Sequence, residues 1–490
     1  MANITIRDLP DKTKETLRIH AAQSGISLEA YVRYILQKAS HKEYQPDIDI
    51  MASVRKYFGK RSGIDIELPP IVRFERQGGG KEAIENAAKL LSNAKFPVIL
   101  SGAGVVLGGA IDECKKLAEK LDAPVCNGYQ HNDSFPGSHP LAVGPLGYNG
   151  SKAAMELISK ADVVLALGTR LNPFSTLPGY GIDYWPKKAT IIQVDMNPDR
   201  IGLTKKVSVG ICGDAKQVAQ QILDKLSSDA GNTGREERKN LIHKTKSAWL
   251  QTLSGLDHEE DDPGTVWNKE ARERDKDRMS PRQAWRAIQD ALPQDAIISS
   301  DIGNNCAIGN AYPTFEKPRK YLAPGLFGPC GYGFPAILGA KIGCPDTPVV
   351  GFAGDGAFGI SMNEMSSCAR EEWPAITMVI FRNYQWGAEK RNSILWFDDN
   401  FVGTELDPEL SYAKVANACG LKGVTCKTME ETTKAIKQSC EDQKKGITTF
   451  IEIILNQELG EPFRRDAMKK PVKVAGIKKE DMKKQPSLIS

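Results

Sequence analysis

A short apolar run that stops at a glycine-rich turn constrains the fold of this chain more than any other feature. Residues 349–357 read Val-Val-Gly-Phe-Ala-Gly-Asp-Gly-Ala, so a β-branched apolar run ends at Gly354, Asp355 and Gly356. A run of this length bounded by glycine is typical of a strand buried inside a parallel sheet. The sequence therefore predicts a strand that opens into a tight turn at its carboxyl end.

A second apolar run follows after a helical interval. Residues 378–381 form this run, and Arg382 and Asn383 end it. Between the two runs, residues 360–370 carry methionine and alanine at helical spacing. A strand–turn–helix–strand unit places both turns at the carboxyl ends of neighbouring parallel strands, where open α/β sheets bind their ligands.

The residue types at these two turns suit a diphosphate held by a metal ion. Gly354 and Gly356 allow the backbone to approach a phosphate closely, with N–H groups available to donate. The Asp355 carboxylate, the Asn383 side chain and the Gln385 main-chain carbonyl supply three oxygens, which suit octahedral Mg²⁺. A Gly-Asp-Gly sequence alone is usually an ordinary turn, but here the strands, the helix and the asparagine accompany it.

Together these features resemble the motif of thiamine diphosphate enzymes, in which Gly-Asp-Gly is followed, one helix and one strand later, by asparagine. The resemblance implies thiamine diphosphate and Mg²⁺ as cofactors. The chain departs from the motif at one position. Arg382 stands where these enzymes commonly have a first asparagine, while the usual metal ligand, the second asparagine, is present as Asn383.

The composition indicates a globular protein. Apolar residues make up 41% and charged residues 26% of the 490 residues, and a net charge of +4 is too small to indicate nucleic-acid binding by the whole chain. Ten cysteines are scattered without a Cys-x-x-Cys pair, which argues against a zinc site and a disulfide framework and favours a reducing cytoplasm. No apolar run reaches the roughly 18 residues of a membrane span, and the amino terminus does not resemble a signal peptide.

The first 70 residues follow a different pattern. Ile4 and Ile6 alternate with Asn3, Thr5 and Arg7, as in a strand with two unlike faces. Two short helices are predicted next, the first ending at a glycine and the second with apolar residues at helical spacing. One strand and two short helices bury too little apolar surface to fold alone, so this segment needs a second copy.

This pattern resembles the ribbon-helix-helix antitoxins of the FitA/VapB type, in which two chains pair their strands into a ribbon that enters the DNA major groove. The resemblance implies a homo-oligomer that contacts DNA through Asn3, Thr5 and Arg7. Residues 54–70 resemble the tail with which these antitoxins wrap a partner toxin. The alternative is a small α/β appendage whose strand caps another sheet.

From residue 71 onward the sequence predicts two further α/β domains. Buried strands are expected at residues 97–100, 123–126, 161–168 and 190–195, after a helix at residues 81–92. Gly102-Ala103-Gly104 suggests a dinucleotide site but lacks the third glycine of that pattern, so a structural middle domain is favoured. The predicted fold class is α/β, with a ribbon-helix-helix module (1–70), a central parallel-sheet domain (71–226), a charged, solvated helical connector (227–279) and a diphosphate-binding parallel-sheet domain (280–490).

The later part of the chain resembles the sulfoacetaldehyde acetyltransferase family in particular. The resemblance rests on residues 94–150, 172–186, 327–341 and 456–472. These enzymes cleave sulfoacetaldehyde, release sulfite and transfer the acetyl group to phosphate, which gives acetyl phosphate. The resemblance therefore implies an acyltransferase with sulfoacetaldehyde and phosphate as small-molecule substrates.

The same resemblance implies roles for individual residues. Asp355, Asn383 and the Gln385 carbonyl hold Mg²⁺. The diphosphate is contacted by Gly354, Gly356, Ala357, Asn304 and Asn305. Cys330 takes the position at which the wider family usually has a bulky apolar residue that bends the cofactor, and the alternative for Cys330 is a small buried apolar side chain. Arg464, Arg465 and Lys469 are candidates for binding the sulfonate or the phosphate, the alternative being a solvated basic terminus.

One expected group has no counterpart in this reading of the sequence. Thiamine diphosphate enzymes activate their cofactor with a glutamate, which the family carries in a domain that precedes the central one. Here the antitoxin-like module stands at that place. Two hypotheses follow: an acetyltransferase-type enzyme whose activity as this chain is uncertain, or a DNA-binding regulator fused to a thiamine diphosphate-binding remnant.

Overall fold

The computed structural model describes residues 80–256, 275–325, 327–397 and 403–458, together with isolated positions among the first 32 residues. The chain divides into two units, Met1–Arg76 and Gln77–Ser490. In the first unit, residues 13–15, 17, 18, 21, 28 and 32 are helical, and these positions fall within the two predicted helices, at about residues 10–24 and 28–39. Asn3, Thr5 and Arg7 lie outside the described residues.

The second unit begins with a six-stranded parallel sheet in the order β3-β2-β1-β4-β5-β6. Its strands are β1 (Pro97–Ser101), β2 (Val125–Asn127), β3 (Ala142–Pro145), β4 (Val163–Leu167), β5 (Thr190–Asp195) and β6 (Val209–Cys212). Its helices are α1 (Lys81–Ser92), α2 (Ala103–Gly108), α3 (Ile111–Leu121), α4 (Lys152–Ile158) and α5 (Ala215–Lys225). The predicted parallel central sheet is confirmed. The two strands that the sequence did not reveal, β3 and β6, are the edge strands of this sheet. Both are short and partly exposed, so neither forms a long apolar run.

The glycines of the turn after β1 serve close packing. A Cβ on Gly102 would lie 2.6 Å from Thr169 Cβ, and one on Gly104 would lie 2.6 Å from Gly168 Cα. The Gly104 N–H donates to the Gly168 carbonyl over 2.8 Å. Backbone from the end of β4 therefore occupies the space that a nucleotide diphosphate would need beside this turn, which supports a structural role for Gly102-Ala103-Gly104.

The segment predicted as a solvated connector contains the helix α6 (Arg235–Leu256), which packs against α4. Arg238 is only 1% exposed. Its guanidinium donates to the carbonyls of Lys95, Leu121, Asp122, Gly231 and Thr233 over 2.6–2.9 Å. The expectation that this segment is merely solvated is therefore wrong for α6, because a buried arginine of this helix donates hydrogen bonds to carbonyls at the end of α3 and in nearby loops.

A second six-stranded parallel sheet has the order β11-β12-β10-β9-β7-β8. Its strands are β7 (Ile297–Ser300), β8 (Tyr321–Leu322), β9 (Val349–Gly354), β10 (Thr377–Arg382), β11 (Lys422–Cys426) and β12 (Thr449–Ile454). Its helices are α7 (Pro281–Gln289), α8 (Asn304–Ile308), α9 (Gly333–Gly343), α10 (Asp355–Ser361), α11 (Met365–Cys368), α12 (Gly387–Phe397), α13 (Tyr412–Ala418) and α14 (Met429–Gln443). Short 3₁₀ turns cover Asn132–Ser134, Pro173–Ser175, Pro198–Arg200, Gly309–Ala311 and Met362–Glu364.

The helix predicted over residues 360–370 is replaced by two shorter ones. The helix α10 begins at Asp355, directly after β9, and a 3₁₀ turn separates it from α11. Ser361 and Asn363 lie at this break, and both residue types bond to nearby backbone in ways that compete with a continuous helix. The two-strand framework predicted around it is unaffected, since β9 and β10 pair in parallel.

Aromatic packing and buried hydrogen bonds fix the second sheet and join it to the first. Trp285 of α7 lies 4.8 Å from the Phe352 ring and 5.3 Å from the Phe381 ring, on the central strands β9 and β10. Asn132, in the segment after β2, donates to the carbonyls of Asn310 and Pro313 over 2.8 and 2.9 Å. Both sheets therefore contribute to one buried polar junction.

No helix among the described residues is both long enough and apolar enough to cross a membrane. All ten cysteines are free thiols.

Candidate functional site

The carboxyl ends of β7, β9 and β10 bring together the predicted site residues that the structure describes. Asp301 follows β7, Asp355 follows β9 and Asn383 follows β10. In the sheet, β7 lies between β8 and β9. The chain therefore passes from β7 to β8 on one side and then to β9 on the other side of β7, which reverses the strand order. A crevice forms at such a reversal in open parallel sheets, and ligands bind there.

Asp355 is fully buried and held on both carboxylate oxygens. Its Oδ2 accepts hydrogen bonds from Arg382 Nη1 at 3.0 Å and from the Tyr384 N–H at 2.6 Å. Its Oδ1 accepts from the Gly356 N–H at 3.0 Å. A carboxylate offers about four lone pairs, so Oδ1 retains one for a metal ion.

Arg382 is fully buried and connects several elements. Besides Asp355, its guanidinium donates to the carbonyl of Asp407 and, over 2.9 Å, to that of Leu410, and its Nε lies 3.7 Å from Glu452 Oε1. It also lies 4.2 Å from the ring centroid of Tyr384. The residue that departs from the cofactor motif is thus the cation that pairs with the candidate metal ligand.

Burial raises the pKa of Asp355 to about 6, and the neighbouring Arg382 charge opposes this rise more than the backbone hydrogen bonds do. The carboxylate is therefore predominantly ionised at neutral pH. Arg382 supports the ionised form that a metal ligand requires.

The remaining predicted metal ligands are buried at the same edge. Asn383 and Gln385 are 2% and 3% exposed. Within the described ranges, Asn383 Nδ2 and Gln385 Oε1 have no hydrogen-bond partner. Tyr384 and Trp386 make the backbone hydrogen bonds to residues 404 and 406, which leaves the Gln385 carbonyl outside this pairing.

This donor set fits Mg²⁺. The one carboxylate, the amide and the main-chain carbonyl are all hard oxygen donors, and a magnesium site usually takes few protein ligands and completes its shell with water and phosphate. In the described ranges, no group of three or more His, Cys, Asp or Glu side chains could hold a metal ion. A site with a single carboxylate does not require such a group.

The Gly-Asp-Gly turn is shaped by its neighbours. A Cβ on Gly354 would meet nothing within 4 Å, so this side of the turn is open to a ligand. A Cβ on Gly356 would lie 2.7 Å from the Trp386 ring, so packing requires glycine there. The Gly356 N–H already donates to Asp355, which leaves Ala357 as the next N–H in the first turn of α10 that can face a diphosphate.

Asn304 lies next to the loop between β10 and α12. The Cβ position of Gly387 is 3.4 Å from both Asn304 Cβ and Gln385 Nε2. The hydroxyl of Tyr148, from the segment after β3, donates to Asn304 Oδ1 over 3.0 Å. Asn305 is 3% exposed, and its Oδ1 has no hydrogen-bond partner in the part of the chain that is described.

Cys330 lies in a loop that Asp301 holds in place. The Asp301 carboxylate accepts from the N–H groups of Gly331, Gly333 and Ile302 over 2.7–3.1 Å. Cys330 is half-buried, and burial raises the pKa of its thiol. Sequence reasoning missed the role of Asp301, although its position directly after a buried strand was a usable signal.

The basic residues Arg464, Arg465 and Lys469 lie outside the described residues. The structure thus brings together Gly354, Asp355, Gly356, Ala357, Asn304, Asn305, Cys330, Asn383 and Gln385 at one edge of the second sheet.

Comparison with family models assigns the same parts of the chain. Residues 84–222 match the thiamine pyrophosphate enzyme central domain, and residues 301–453 match the thiamine pyrophosphate enzyme C-terminal TPP binding domain. Residues 2–40 match the antitoxin FitA-like ribbon-helix-helix model. The resemblances of all three segments are confirmed.

Comparison with curated proteins gives long and close matches. A protein of Rhizobium meliloti named "Probable sulfoacetaldehyde acetyltransferase" is 77% identical over 422 residues, which are 86% of this chain and 71% of that protein. The sulfoacetaldehyde acetyltransferase of Roseovarius nubinhibens is 74% identical, over 86% of this chain and 70% of that protein. That of Rhodobacter capsulatus is 68% identical, over 86% of this chain and 72% of that protein.

The buried ion pair predicts a large stability effect. Arg382→Met leaves the Asp355 carboxylate buried without its cation, so the free energy of unfolding should fall by about 3–5 kcal/mol. Urea denaturation followed by circular dichroism measures this loss. Arg370→Met is the matched control, because its pair with Glu372 is exposed and its removal should have no measurable effect. Equal losses in the two variants would contradict this account of the site.

Proposed function

Because the chain belongs to the sulfoacetaldehyde acetyltransferase family of thiamine diphosphate enzymes, we propose that it binds thiamine diphosphate and Mg²⁺ and takes part in the conversion of sulfoacetaldehyde and phosphate into acetyl phosphate and sulfite. The observation that carries this proposal is the identity of 77% over 422 residues, which extends across the whole edge where the candidate metal ligands meet.

In this proposal the chain's own residues anchor the cofactor. Asp355, Asn383 and the Gln385 carbonyl hold Mg²⁺, and the open face at Gly354 with the Ala357 N–H receives the diphosphate. Arg382 keeps the Asp355 carboxylate ionised and oriented. Thiamine diphosphate, when bound, supplies the nucleophilic carbon that attacks the aldehyde.

Other residues shape the space around the reacting end. Asn304 and Asn305 offer amide groups next to the metal loop, and Cys330 lies on a loop whose position Asp301 fixes. Cys330 supports the bent form of the cofactor in this proposal. Arg464, Arg465 and Lys469 remain candidates for binding the anionic substrates.

In this proposal the residues assigned above anchor the cofactor, and the activating glutamate is not among them. The matched residues span about 70% of each relative, and the resemblance places that glutamate in a domain that precedes the central one. A partner polypeptide or a second copy would also shield the edge from water. The ten free thiols support a reducing cytoplasm as the place of action.

Removal of the single carboxylate should strongly weaken cofactor binding. Asp355→Ala leaves the metal two neutral oxygens. Loss of a residue that only supports a metal ligand typically costs about 10–100-fold in affinity, so loss of the ligand itself should lower the Mg²⁺-dependent affinity for thiamine diphosphate by at least the upper end of that range. Calorimetry with and without Mg²⁺ measures it, with Asp346→Ala, an exposed aspartate of the same domain, as control. An unchanged affinity in Asp355→Ala would refute the metal site.

The full chain alone should turn over sulfoacetaldehyde slowly. Loss of a general acid–base group costs about 10²–10⁴-fold. With Mg²⁺, thiamine diphosphate and phosphate, release of acetyl phosphate and sulfite should therefore rise when the part of the Rhizobium meliloti relative that this chain does not match is added as a separate polypeptide. Turnover by the chain alone at about 1–10³ s⁻¹, the ordinary enzyme range, would show that it supplies its own activating group.

The antitoxin-like match favours a second activity for residues 1–70. We propose that this module pairs two chains, binds DNA through Asn3, Thr5 and Arg7 and offers residues 54–70 to a toxin partner.

Binding of the full chain to a DNA duplex should weaken steeply as the salt concentration rises. Arg7→Ala should lower the DNA affinity further, whereas the control Lys239→Ala, at an exposed position of α6, should not. A monomer in analytical ultracentrifugation, or DNA affinity equal in both variants, would contradict this activity.

A further inference from the structure

The helix α12 places two consecutive buried cations next to the candidate site. Lys390 and Arg391 are 0% and 4% exposed. The Lys390 ammonium pairs with the Glu405 carboxylate and donates to Gln457 Oε1 over 3.3 Å. Lys390 therefore ties α12 to the end of the sheet, and its charge is matched by a carboxylate.

Arg391 faces an aromatic ring from the other sheet. Its guanidinium carbon lies 4.9 Å from the ring centroid of Tyr148, and the hydroxyl of the same tyrosine donates to Asn304 Oδ1 over 3.0 Å. One side chain thus separates Arg391 from the asparagine expected to contact the cofactor. Asn310 Nδ2 donates to the Tyr148 carbonyl over 3.3 Å, so the tyrosine is fixed at both ends.

This arrangement suits recognition of an anion. The ring attracts the guanidinium through its charge, and a guanidinium carries five N–H donors from which an oxyanion can accept hydrogen bonds. Burial lowers the pKa of Arg391 to about 10 and the Tyr129 phenol opposes that shift, so the group remains a cation at neutral pH.

A second donor lies next to Tyr148 in the chain. Asn149 is 3% exposed, and neither polar atom of its side chain has a hydrogen-bond partner within the described ranges. Buried amides are normally hydrogen-bonded, so an unpartnered one at a domain junction points to a ligand.

Both substrates of the proposed reaction carry a tetrahedral oxyanion, which a buried guanidinium and a buried amide can bind through several N–H donors at once. We propose that Arg391, which lies over the Tyr148 ring, binds a tetrahedral oxyanion beside Asn304 with the assistance of Asn149. That oxyanion is the sulfonate of the aldehyde substrate or inorganic phosphate. The inference rests on the proposed function, and it assigns Arg391 as the cation that binds an anionic substrate of that reaction.

Equilibrium binding tests this site without turnover. The full chain is titrated by calorimetry with inorganic phosphate and separately with 2-hydroxyethanesulfonate, each with and without thiamine diphosphate and Mg²⁺. Arg391→Met should weaken binding of at least one of the two anions by about tenfold or more, and Arg391→Lys should weaken it less. The anion whose binding falls identifies the source of the oxyanion.

Two further variants separate the roles. Tyr148→Phe keeps the ring under Arg391 but removes the bond to Asn304, so anion binding should persist while thiamine diphosphate affinity falls. Arg286→Met is the matched control, since Arg286 also lies over a tyrosine ring, with its guanidinium carbon 5.5 Å from the ring centroid of Tyr312. It should change neither affinity.

The outcomes distinguish this inference from the proposed function. A wild-type chain that binds thiamine diphosphate but neither anion would overturn the inference alone, as would Arg391→Met binding both anions with unchanged affinity. Should Arg391→Met not fold, Arg391→Lys decides, and unchanged affinity for both anions in that variant also overturns it. Absence of thiamine diphosphate binding would overturn the proposed function, while the anion titrations without cofactor would still test Arg391.

Discussion

The ion pair between Arg382 and Asp355 is the interaction on which the functional edge of this protein depends. The carboxylate is fully buried, and without a cation nearby it would take up a proton at neutral pH. Arg382 prevents this, and its guanidinium also donates hydrogen bonds to the carbonyls of Asp407 and Leu410. One side chain therefore holds the turn after β9 against the segment that precedes α13. A residue that breaks the common cofactor motif therefore preserves the chemistry of that motif.

The two sheets contribute to the site in different ways. The second sheet provides the metal ligands and the open turn, whereas the first reaches over through Tyr148 and Asn132. The glycines of the first sheet, which could have received a nucleotide diphosphate, pack against backbone instead. The central domain is thus a scaffold that positions a few side chains at the edge of its neighbour.

Much of the fold was predictable because its buried strands are apolar runs bounded by glycine. The strands at the centre of both sheets and the helix at residues 81–92 all have local signals. Edge strands such as β6 lack them, and the break between α10 and α11 depends on competing backbone bonds around Ser361. At the site, residues next to the motif were predictable, whereas Asp301, Tyr148 and Arg391 act through contacts between distant segments that periodicity does not reveal.

The bonds around Asn310 have a consequence for how the molecule comes apart. Asn310 accepts hydrogen bonds from the first domain on its side-chain oxygen and on its carbonyl. The Asp133 carboxylate accepts hydrogen bonds from the N–H groups of Lys320 and Tyr321 at the start of β8. Separating the sheets would exchange these hydrogen bonds for bonds to water, at a net cost of about 0.5–1.5 kcal/mol each, and their sum is a large fraction of the stability of a small domain. The two sheets should therefore melt in a single cooperative transition, and the diphosphate-binding half is a poor candidate for expression by itself.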